Sequence, residues 1–316
     1  RDPHGIRPLV LGRLGSPEDN SWVVASETCA LDIVGATYIR EVEPGEIIKI
    51  SDDGLRSERG LTHRDPAACI FEDVYFSQPD SVVDGRSIYW VRHTMGRQLA
   101  RETSVDADLV IGVPDSGVPA AEGFAAELGI PFGTGLIKNR YVARTFIQPT
   151  QDLRRLGVRL KLNALADVVR GKRLVMVDDS VVRGTTSKQI VRMLRDAGAC
   201  EVHVRSASPK VMWPCFYGID TADQDQLIAA YKTTEEICEY IEADSLGFLS
   251  LEGLLDCVPK RGYCVACFNG HYPVEIPDDF HERFVSGMCP HALNCSHALT
   301  FTQVEAQLAQ KGLQDV

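Results

Sequence analysis

The stretch from Val175 to Thr186 reads V-M-V-D-D-S-V-V-R-G-T-T and decides the predicted fold. Its apolar start is typical of a buried strand, which ends at the acidic residues Asp178 and Asp179. A short turn containing Gly184 then leads into a segment with helical periodicity. A strand followed by a helix places both carboxylates at the carboxyl edge of a parallel sheet, where open α/β folds bind their ligands. The helix start favours an anion such as phosphate, because its amides are free and its dipole is positive there.

This turn carries the groups that bind a sugar phosphate. Hydroxyl side chains lie within reach of a phosphate at the helix start, a glycine lets the backbone come close to a ligand, and two acids can bind ribose hydroxyls. The alternative is an acidic N-cap region ahead of a surface helix, since Asp, Ser and Thr favour helix starts. The predicted binding residues are Asp178, Asp179, Ser180, Gly184, Thr185 and Thr186.

A second turn of the same kind follows the apolar run from Leu109 to Val113. It reads P-D-S-G and precedes another helical segment, so its amides can point at anionic oxygens. Such a turn is more often structural when it stands alone, and the interpretation as a site depends on its partnership with the first turn. The predicted binding residues are Asp115, Ser116 and Gly117.

Strands and helices alternate around both turns. This alternation predicts βαβ units and an α/β fold with a parallel sheet flanked by helices. Strands are predicted at 109–113, 132–137, 173–177 and 202–205, and helices from 88, at 118–128 and at 185–197. Residues 1–66 instead carry short β-rich runs at 9–11, 22–25 and 47–50 between Gly and Pro turns, which indicates part of an all-β or layered domain.

The overall composition limits the classes of partner. With 33 basic and 44 acidic residues among 316, the formal charge is −11, so the basic surface of a nucleic-acid-binding protein is not expected. No apolar run has the roughly 20 residues of a membrane span, and the first residues are not those of a signal peptide. The prediction is a cytoplasmic protein without membrane or nucleic-acid contacts. Ten cysteines are too few for a disulfide scaffold of this length, so their positions are considered for metal binding.

The stretch from Val175 to Thr186 resembles the phosphoribosyl pyrophosphate (PRPP) binding motif of type I phosphoribosyltransferases. That motif consists of four apolar residues, two acids, a short loop and Gly-Thr-Thr. The segments 1–9, 25–32 (A-S-E-T-C-A-L-D), 138–147 and 215–220 (C-F-Y-G-I-D) resemble the glutamine PRPP amidotransferases, and the similarity extends to about Gly270. The resemblance implies a pentosyltransferase that forms 5-phosphoribosylamine and pyrophosphate from PRPP and glutamine-derived ammonia, the first committed step of purine synthesis.

The resemblance also implies a division into domains. Residues 1–66 would be the last part of an N-terminal-nucleophile glutaminase domain of αββα type, 67–262 the type I phosphoribosyltransferase domain, and 263–316 a cluster-binding segment and tail. The family's glutaminase nucleophile is an N-terminal cysteine, whereas the first residue here is Arg1 and the first cysteine is Cys29. Cys29 is also interpretable as a small buried apolar residue. We expect the chain as given to use ammonia only.

Catalytic roles follow from the resemblance for the basic stretch 138–162. Tyr141, Arg144 and Lys161 would belong to a loop that closes over PRPP, excludes water and stabilises the leaving pyrophosphate. The alternative is a solvated basic loop without a catalytic role. The turn at Asp115 to Gly117 would bind the pyrophosphate group, and Mg²⁺ would arrive with PRPP near Ser116, Asp178 and Asp179.

Four cysteines define a possible metal site. Cys264 and Cys267 form a C-V-A-C pair, and by resemblance to Bacillus-type enzymes they would hold a four-iron four-sulfur cluster with Cys69 and Cys215. A tetrahedral zinc site of Cys264, Cys267, Cys289 and Cys295 competes with this interpretation, although its second spacing is irregular. From spacing alone, iron–sulfur, zinc and no metal stay open.

The family further implies purine nucleotide inhibitors and a homotetramer or homodimer. Two other functions stay open at this point. A non-enzymatic PRPP-binding purine regulator would keep the first turn but has no need of the basic loop. A salvage base transferase would need a purine or pyrimidine pocket, and no such pocket is recognisable in the sequence.

Overall fold

The computed structural model describes residues 1–16, 21–60, 64–139, 162–221, 224–259 and 262–276. The chain divides into two compact units, Arg1–Pro273 and Val274–Val316, and the elements described here lie in the first. The strands are β1 Val10–Leu14, β2 Trp22–Ala25, β3 Ala36–Glu41, β4 Glu46–Ser51, β5 Gly54–Arg59, β6 Ala68–Cys69, β7 Val82–Val83, β8 Arg86–Ser87, β9 Leu109–Gly112, β10 Leu136–Lys138, β11 Leu162–Ala164, β12 Arg173–Asp178, β13 Glu201–Ser206, β14 Ser245–Phe248 and β15 Tyr263–Cys264. The α-helices are α1 Thr28–Val34, α2 Ile88–Glu102, α3 Val118–Leu128, α4 Ala166–Val169, α5 Thr185–Asp196, α6 Thr234–Ile241, α7 Leu251–Cys257 and α8 Ala266–Asn269.

A four-stranded parallel sheet in the order β14–β13–β12–β9 forms the centre of this unit. Val175 and Val177 of β12 pack into a core with α2 and α3, whereas Leu174 and Met176 pack into a second core with α5 and α6. Successive side chains of a strand point to opposite faces, so the two cores lie on the two sides of the sheet. The predicted α/β fold with a parallel sheet flanked by helices is confirmed.

The predicted elements around the two turns are mostly observed within a residue or two. The helix at 118–128 is confirmed at both ends, and that at 185–197 ends one residue earlier, at Asp196. The strand predicted at 132–137 is observed only at its end, where β10 covers Leu136–Lys138. Phe132 makes a single parallel bridge to Val110, and Leu136–Lys138 pairs antiparallel with β11 outside the central sheet. A Cβ at Gly135 would lie 2.7 Å from Ile111, so the chain passes the sheet at close range instead of extending along it.

The described part of the first 60 residues contains a three-stranded antiparallel sheet and a separate two-stranded hairpin. β1 pairs with β2 and β3, and β4 pairs with β5 in a hairpin. The run predicted at 22–25 is a strand with those bounds, and the runs at 9–11 and 47–50 lie at β1 and β4. The domain boundaries after residues 66 and 262 stay predictions. Within the described ranges, no helix has the length and hydrophobicity that a membrane span requires.

Candidate active site

Two loops meet at the carboxyl edge of the parallel sheet. β9 and β12 are neighbours, so the turn at 114–117 and the turn at 179–184 leave the sheet side by side. The amide of Val113 donates a hydrogen bond of 2.9 Å to the carbonyl of Val177, and a Cβ at Gly117 would lie 2.7 Å from the same carbonyl. A glycine is therefore needed for the first loop to pack against the end of β12. The peptide bond between Pro114 and Asp115 is cis.

The carboxylate of Asp179 joins the two loops. The hydroxyl of Ser116 donates a hydrogen bond to one oxygen of this carboxylate, and the hydroxyl of Ser180 donates to the other at 2.7 Å. The carboxylate of Asp178 accepts the backbone N–H of Asp179 at 3.0 Å. Both acids are buried, at 7% and 9% exposure, so their positions are held by contacts and not by solvent.

The two acids carry an electrostatic cost. Burial raises the pKa of Asp178 well above its ordinary value, and the charge of Asp179 raises it further. Burial also raises the pKa of Asp179, while the hydrogen bonds from Ser116 and Ser180 and the charge of Arg92 act in the opposite direction. Buried carboxylates lack the water that would stabilise their ionised form, and a bound cation offsets this cost. This donor set of carboxylate and hydroxyl oxygens fits Mg²⁺.

The start of α5 faces the second loop. Its N-cap is Gly184, which has a φ of 72° and is followed by the exposed residues Thr185 and Thr186. No side chain caps the helix, so the alternative of an acidic N-cap is wrong. A Cβ at Gly184 would lie 3.0 Å from Ile228 and 3.2 Å from Tyr240. The helix dipole and the threonine hydroxyls are therefore available to an anion at this end.

A cleft of about 710 Å³ opens beside the first loop. Its lining includes Pro114, Asp115 and Phe132, together with Lys138 at the start of the basic stretch. Lys138 forms an ion pair with Asp115, although both side chains are more than half exposed. We did not predict Lys138 as a site residue, but it lies in the basic segment. The predicted lid residues Tyr141, Arg144 and Lys161 lie outside the described residues.

Arg92 is a buried cation near Asp179 that the sequence analysis missed. It lies on α2 with 2% exposure and donates to the carbonyls of Asp73 at 2.9 Å and Ser77 at 2.8 Å. Burial lowers its pKa, and the charge of Asp179 is the largest opposing cause. A signal exists in the sequence, since a charged residue stands one turn after Ile88 within the apolar face of the helix.

The four predicted cluster cysteines line one small cavity. β6 and β15 pair in parallel with Cys69 opposite Cys264, Cys267 lies on α8, and Cys215 lies on the loop after β13. Tyr272 closes part of the same cavity and donates a hydrogen bond to the carbonyl of Pro214. Segments from distant parts of the chain thus bring four thiols together.

The buried environment of these cysteines fits a metal group that would balance the negative charge of their thiolates. Burial raises the pKa of Cys69 to about 12 and also raises those of Cys264 and Cys267, so free thiolates are disfavoured. Ligation by iron stabilises the thiolate form, and four cysteines suit a four-iron four-sulfur cluster. Among the described residues, no group of three or more ligand-type side chains is arranged around a single ion. Cys289 and Cys295 of the alternative zinc site lie outside those residues.

Cys29 has the environment of a structural thiol. It is buried on α1, and its thiol donates to the carboxylate of Glu27 at 3.7 Å. Burial raises its pKa, which is opposite to the activation that a nucleophilic cysteine needs. These observations favour the interpretation of Cys29 as a small buried residue.

Comparison with known proteins agrees with this geometry. The model of the phosphoribosyl transferase domain matches residues 93–207, a range that includes both loops. Fold and site define a protein of the type I phosphoribosyltransferase class. The chain is 60% identical over 280 residues to amidophosphoribosyltransferase of Synechocystis sp. and 55% identical over 284 residues to that of Bacillus subtilis. Over this range the chain is similar to amidophosphoribosyltransferases.

The match covers most of this chain and a smaller share of its relatives. It includes 88% of this chain but 56% of the Synechocystis protein and 59% of the Bacillus protein. A solved structure of glutamine PRPP amidotransferase from B. subtilis complexed with ADP and GMP superimposes with a TM-score of 0.80 at 54% identity, over 89% of this chain and 63% of that one. The chain thus spans less than two thirds of these proteins.

Proposed function

We propose that this chain catalyses phosphoribosyl transfer to ammonia, which forms 5-phosphoribosylamine and pyrophosphate from PRPP. The hydrogen bond between Ser116 and Asp179 carries the proposal, because it joins two anion-binding loops at the ligand-binding edge of the sheet. The names of the relatives support the same reaction. In the whole protein, we propose that glutamine is the source of the ammonia.

Each loop has a separate task in this reaction. Ser180, Thr185 and Thr186 bind the 5-phosphate at the start of α5, and Gly184 leaves room for it. Asp178 and Asp179 bind the ribose hydroxyls and thereby orient the anomeric carbon. At the first loop, the residues from Asp115 to Gly117 bind the pyrophosphate group, and Lys138 adds positive charge beside it. The pyrophosphate group would therefore be held in a defined position as it leaves.

Two further groups of residues complete the proposed mechanism. Ser116, Asp178 and Asp179 would hold Mg²⁺ together with PRPP, and the ion would supply positive charge for the pyrophosphate leaving group. Tyr141, Arg144 and Lys161 close over PRPP and keep water from hydrolysing it. Direct titration with PRPP and Mg²⁺ tests the arrangement. Asp179→Asn should bind PRPP at least about tenfold more weakly; equal affinity in wild type and variant would contradict the assignment.

The cysteine cavity has a structural task in this proposal. Cys69, Cys215, Cys264 and Cys267 hold a four-iron four-sulfur cluster that ties α8 and β15 to the body of the fold. Protein purified without oxygen should be brown and contain iron and sulfide. Colourless protein with stoichiometric zinc would instead support the alternative zinc site.

Regulation and assembly are proposed from the family. The B. subtilis structure contains ADP and GMP, so we propose purine nucleotides as inhibitors. The homotetramer or homodimer is proposed from the sequence resemblance alone. A non-enzymatic PRPP-binding regulator, whose loop at 175–186 would be the same, is not favoured, because the similar proteins are named as amidophosphoribosyltransferases. Turnover separates the two, since a regulator binds PRPP without releasing pyrophosphate.

A further inference from the structure

Arg7 follows Ile6, which lines the cysteine cavity, and contacts two separate segments of the chain. Its guanidinium donates a hydrogen bond of 2.7 Å to the carboxylate of Glu72 and one of 3.1 Å to the carbonyl of Tyr217. It also lies over the ring of Phe76, 5.1 Å from the centroid. A cation held by a carboxylate, a carbonyl and an aromatic ring has a defined position, so Arg7 can brace both segments at once.

Both segments carry a cysteine of the cavity. Glu72 follows Cys69 closely in the chain, and the amide of Cys69 donates to the carbonyl of Ile6 at 2.8 Å, one residue before Arg7. On the other side, the amide of Tyr217 donates to the sulfur of Cys215 at 3.4 Å. The side chain of Arg7 therefore connects the surroundings of Cys69 with those of Cys215, which are far apart in sequence.

Arg7 and Glu72 place opposite charges beside the thiols. Ile6, next to Arg7 in the chain, lines the cavity, and Glu72 stands three residues after Cys69. Glu72 is mostly buried and Arg7 is about one-third exposed, so solvent screens this pair only in part.

We propose that Arg7 positions the Cys69 and Cys215 segments around the cavity and balances the negative charge of a cluster held there, with Glu72 acting in the opposite sense. This inference rests on the proposed four-iron four-sulfur cluster. Residues around metal ligands tune both the affinity and the potential of the site by hydrogen bonds and charge. Arg7 is a positioning residue in this account and not a ligand.

The test compares two single variants that break the same ion pair from opposite ends. Arg7→Gln removes a positive charge, so the midpoint potential of the cluster, measured by protein-film voltammetry, should become more negative. Glu72→Gln removes a negative charge, so the potential should become more positive. A purely structural role cannot produce opposite shifts, since both variants lose the same contact. The control is Arg97→Gln, which removes an ion-paired arginine of α2 bound to Glu127 and should leave the potential unchanged.

A second readout measures cluster retention. Loss of visible absorbance in air should be about tenfold faster in Arg7→Gln than in wild type, at the lower end of what outer-sphere residues contribute to metal affinity. Arg7→Lys keeps the positive charge but cannot bind Glu72 and Tyr217 at the same time. The cluster should therefore keep the wild-type potential and still be lost faster than in wild type. Arg7→Lys and Glu72→Gln keep the inference testable if Arg7→Gln does not fold.

The outcomes separate the inference from the proposal beneath it. Wild-type protein that contains no iron and sulfide after anaerobic purification and reconstitution would overturn the cluster, and the inference with it. A wild-type cluster whose potential is the same in Arg7→Gln and Glu72→Gln, or shifts in one direction in both, would overturn the role of Arg7 alone.

Discussion

Ser116 on the loop after β9 donates a hydrogen bond to the carboxylate of Asp179 on the loop after β12, across 63 positions of sequence. The bond exists because β9 and β12 are parallel neighbours, which places both loops at the same edge of the sheet. It also opposes the rise in the pKa of Asp179 that burial causes. One contact therefore sets both the geometry and the charge of the proposed PRPP site.

Ser116→Ala should weaken PRPP and Mg²⁺ binding by about tenfold or more at neutral pH, because a hydrogen bond to a charged group contributes about 1.5–3 kcal/mol. Loss of this bond leaves the pKa of Asp179 higher, so the pH at which binding sets in should also move upward. Titration calorimetry across a pH series measures both effects. Ser57→Ala is a matched control, since Ser57 on β5 donates the same kind of hydrogen bond to the carboxylate of Glu46 on β4. Equal effects of the two variants on binding would contradict the prediction.

Asp178→Asn should make the protein more stable at neutral pH while abolishing its function. Folding raises the pKa of Asp178, so its contribution to the free energy of unfolding is largest below the ordinary value of 3.8 and is lost as the pH rises through the folded pKa. The amide removes this loss, a gain of about 1.4 kcal/mol for each unit of the shift. It can still accept the backbone N–H of Asp179. Urea unfolding at several pH values checks the prediction, and lower stability of the variant at pH 7 would contradict it.

Gly184→Ala should reduce both stability and PRPP binding, whereas Gly171→Ala should reduce stability alone. Both glycines have a positive φ near 72°, and an alanine there costs roughly 1–2 kcal/mol. A Cβ added at Gly184 would lie within 3.2 Å of Ile228 and Tyr240. A Cβ added at Gly171 would meet no atom within 4 Å. Thermal unfolding and PRPP titration of both variants separate the two effects. The assignment of Gly184 to the phosphate loop is wrong if both variants bind PRPP like wild type.

Arg144→Ala should lower ammonia-dependent turnover by about 10²–10³, the usual loss for one group that stabilises developing negative charge. Its melting temperature should stay close to that of wild type, because we expect the lid to act on bound PRPP and not on the core. Pyrophosphate release under saturating PRPP gives the rate. Unchanged activity of the variant would show that the basic stretch 138–162 is a solvated loop.

Local sequence signals predicted the turn after β12 and most of the central sheet. Val175 and Val177 are buried apolar residues directly before two acids, and this pattern is independent of distant contacts. β14 was missed, because Ser245–Phe248 is a short strand that contains a glycine and, within the described part of the chain, pairs with β13 alone. Its position depends on tertiary contacts that no local pattern encodes.

For the four cysteines, too, local sequence signals predicted one part of the arrangement and tertiary contacts determine the rest. The spacing of Cys264 and Cys267 indicated a metal pair, but Cys69 enters the site through the pairing of two-residue strands, β6 and β15. Such short strands carry no periodicity, so only the resemblance could connect these residues in advance. Arg92 and Arg7 were missed for a related reason: their roles depend on the groups that folding brings beside them.

The most direct test of the account is pyrophosphate release from PRPP in the presence of Mg²⁺ and ammonium. Wild-type protein should release one pyrophosphate for each PRPP consumed, at a rate that rises with ammonium concentration, and Asp178→Asn should release almost none. A chain that binds PRPP but releases no pyrophosphate at any ammonium concentration would contradict phosphoribosyl transfer and favour the regulator.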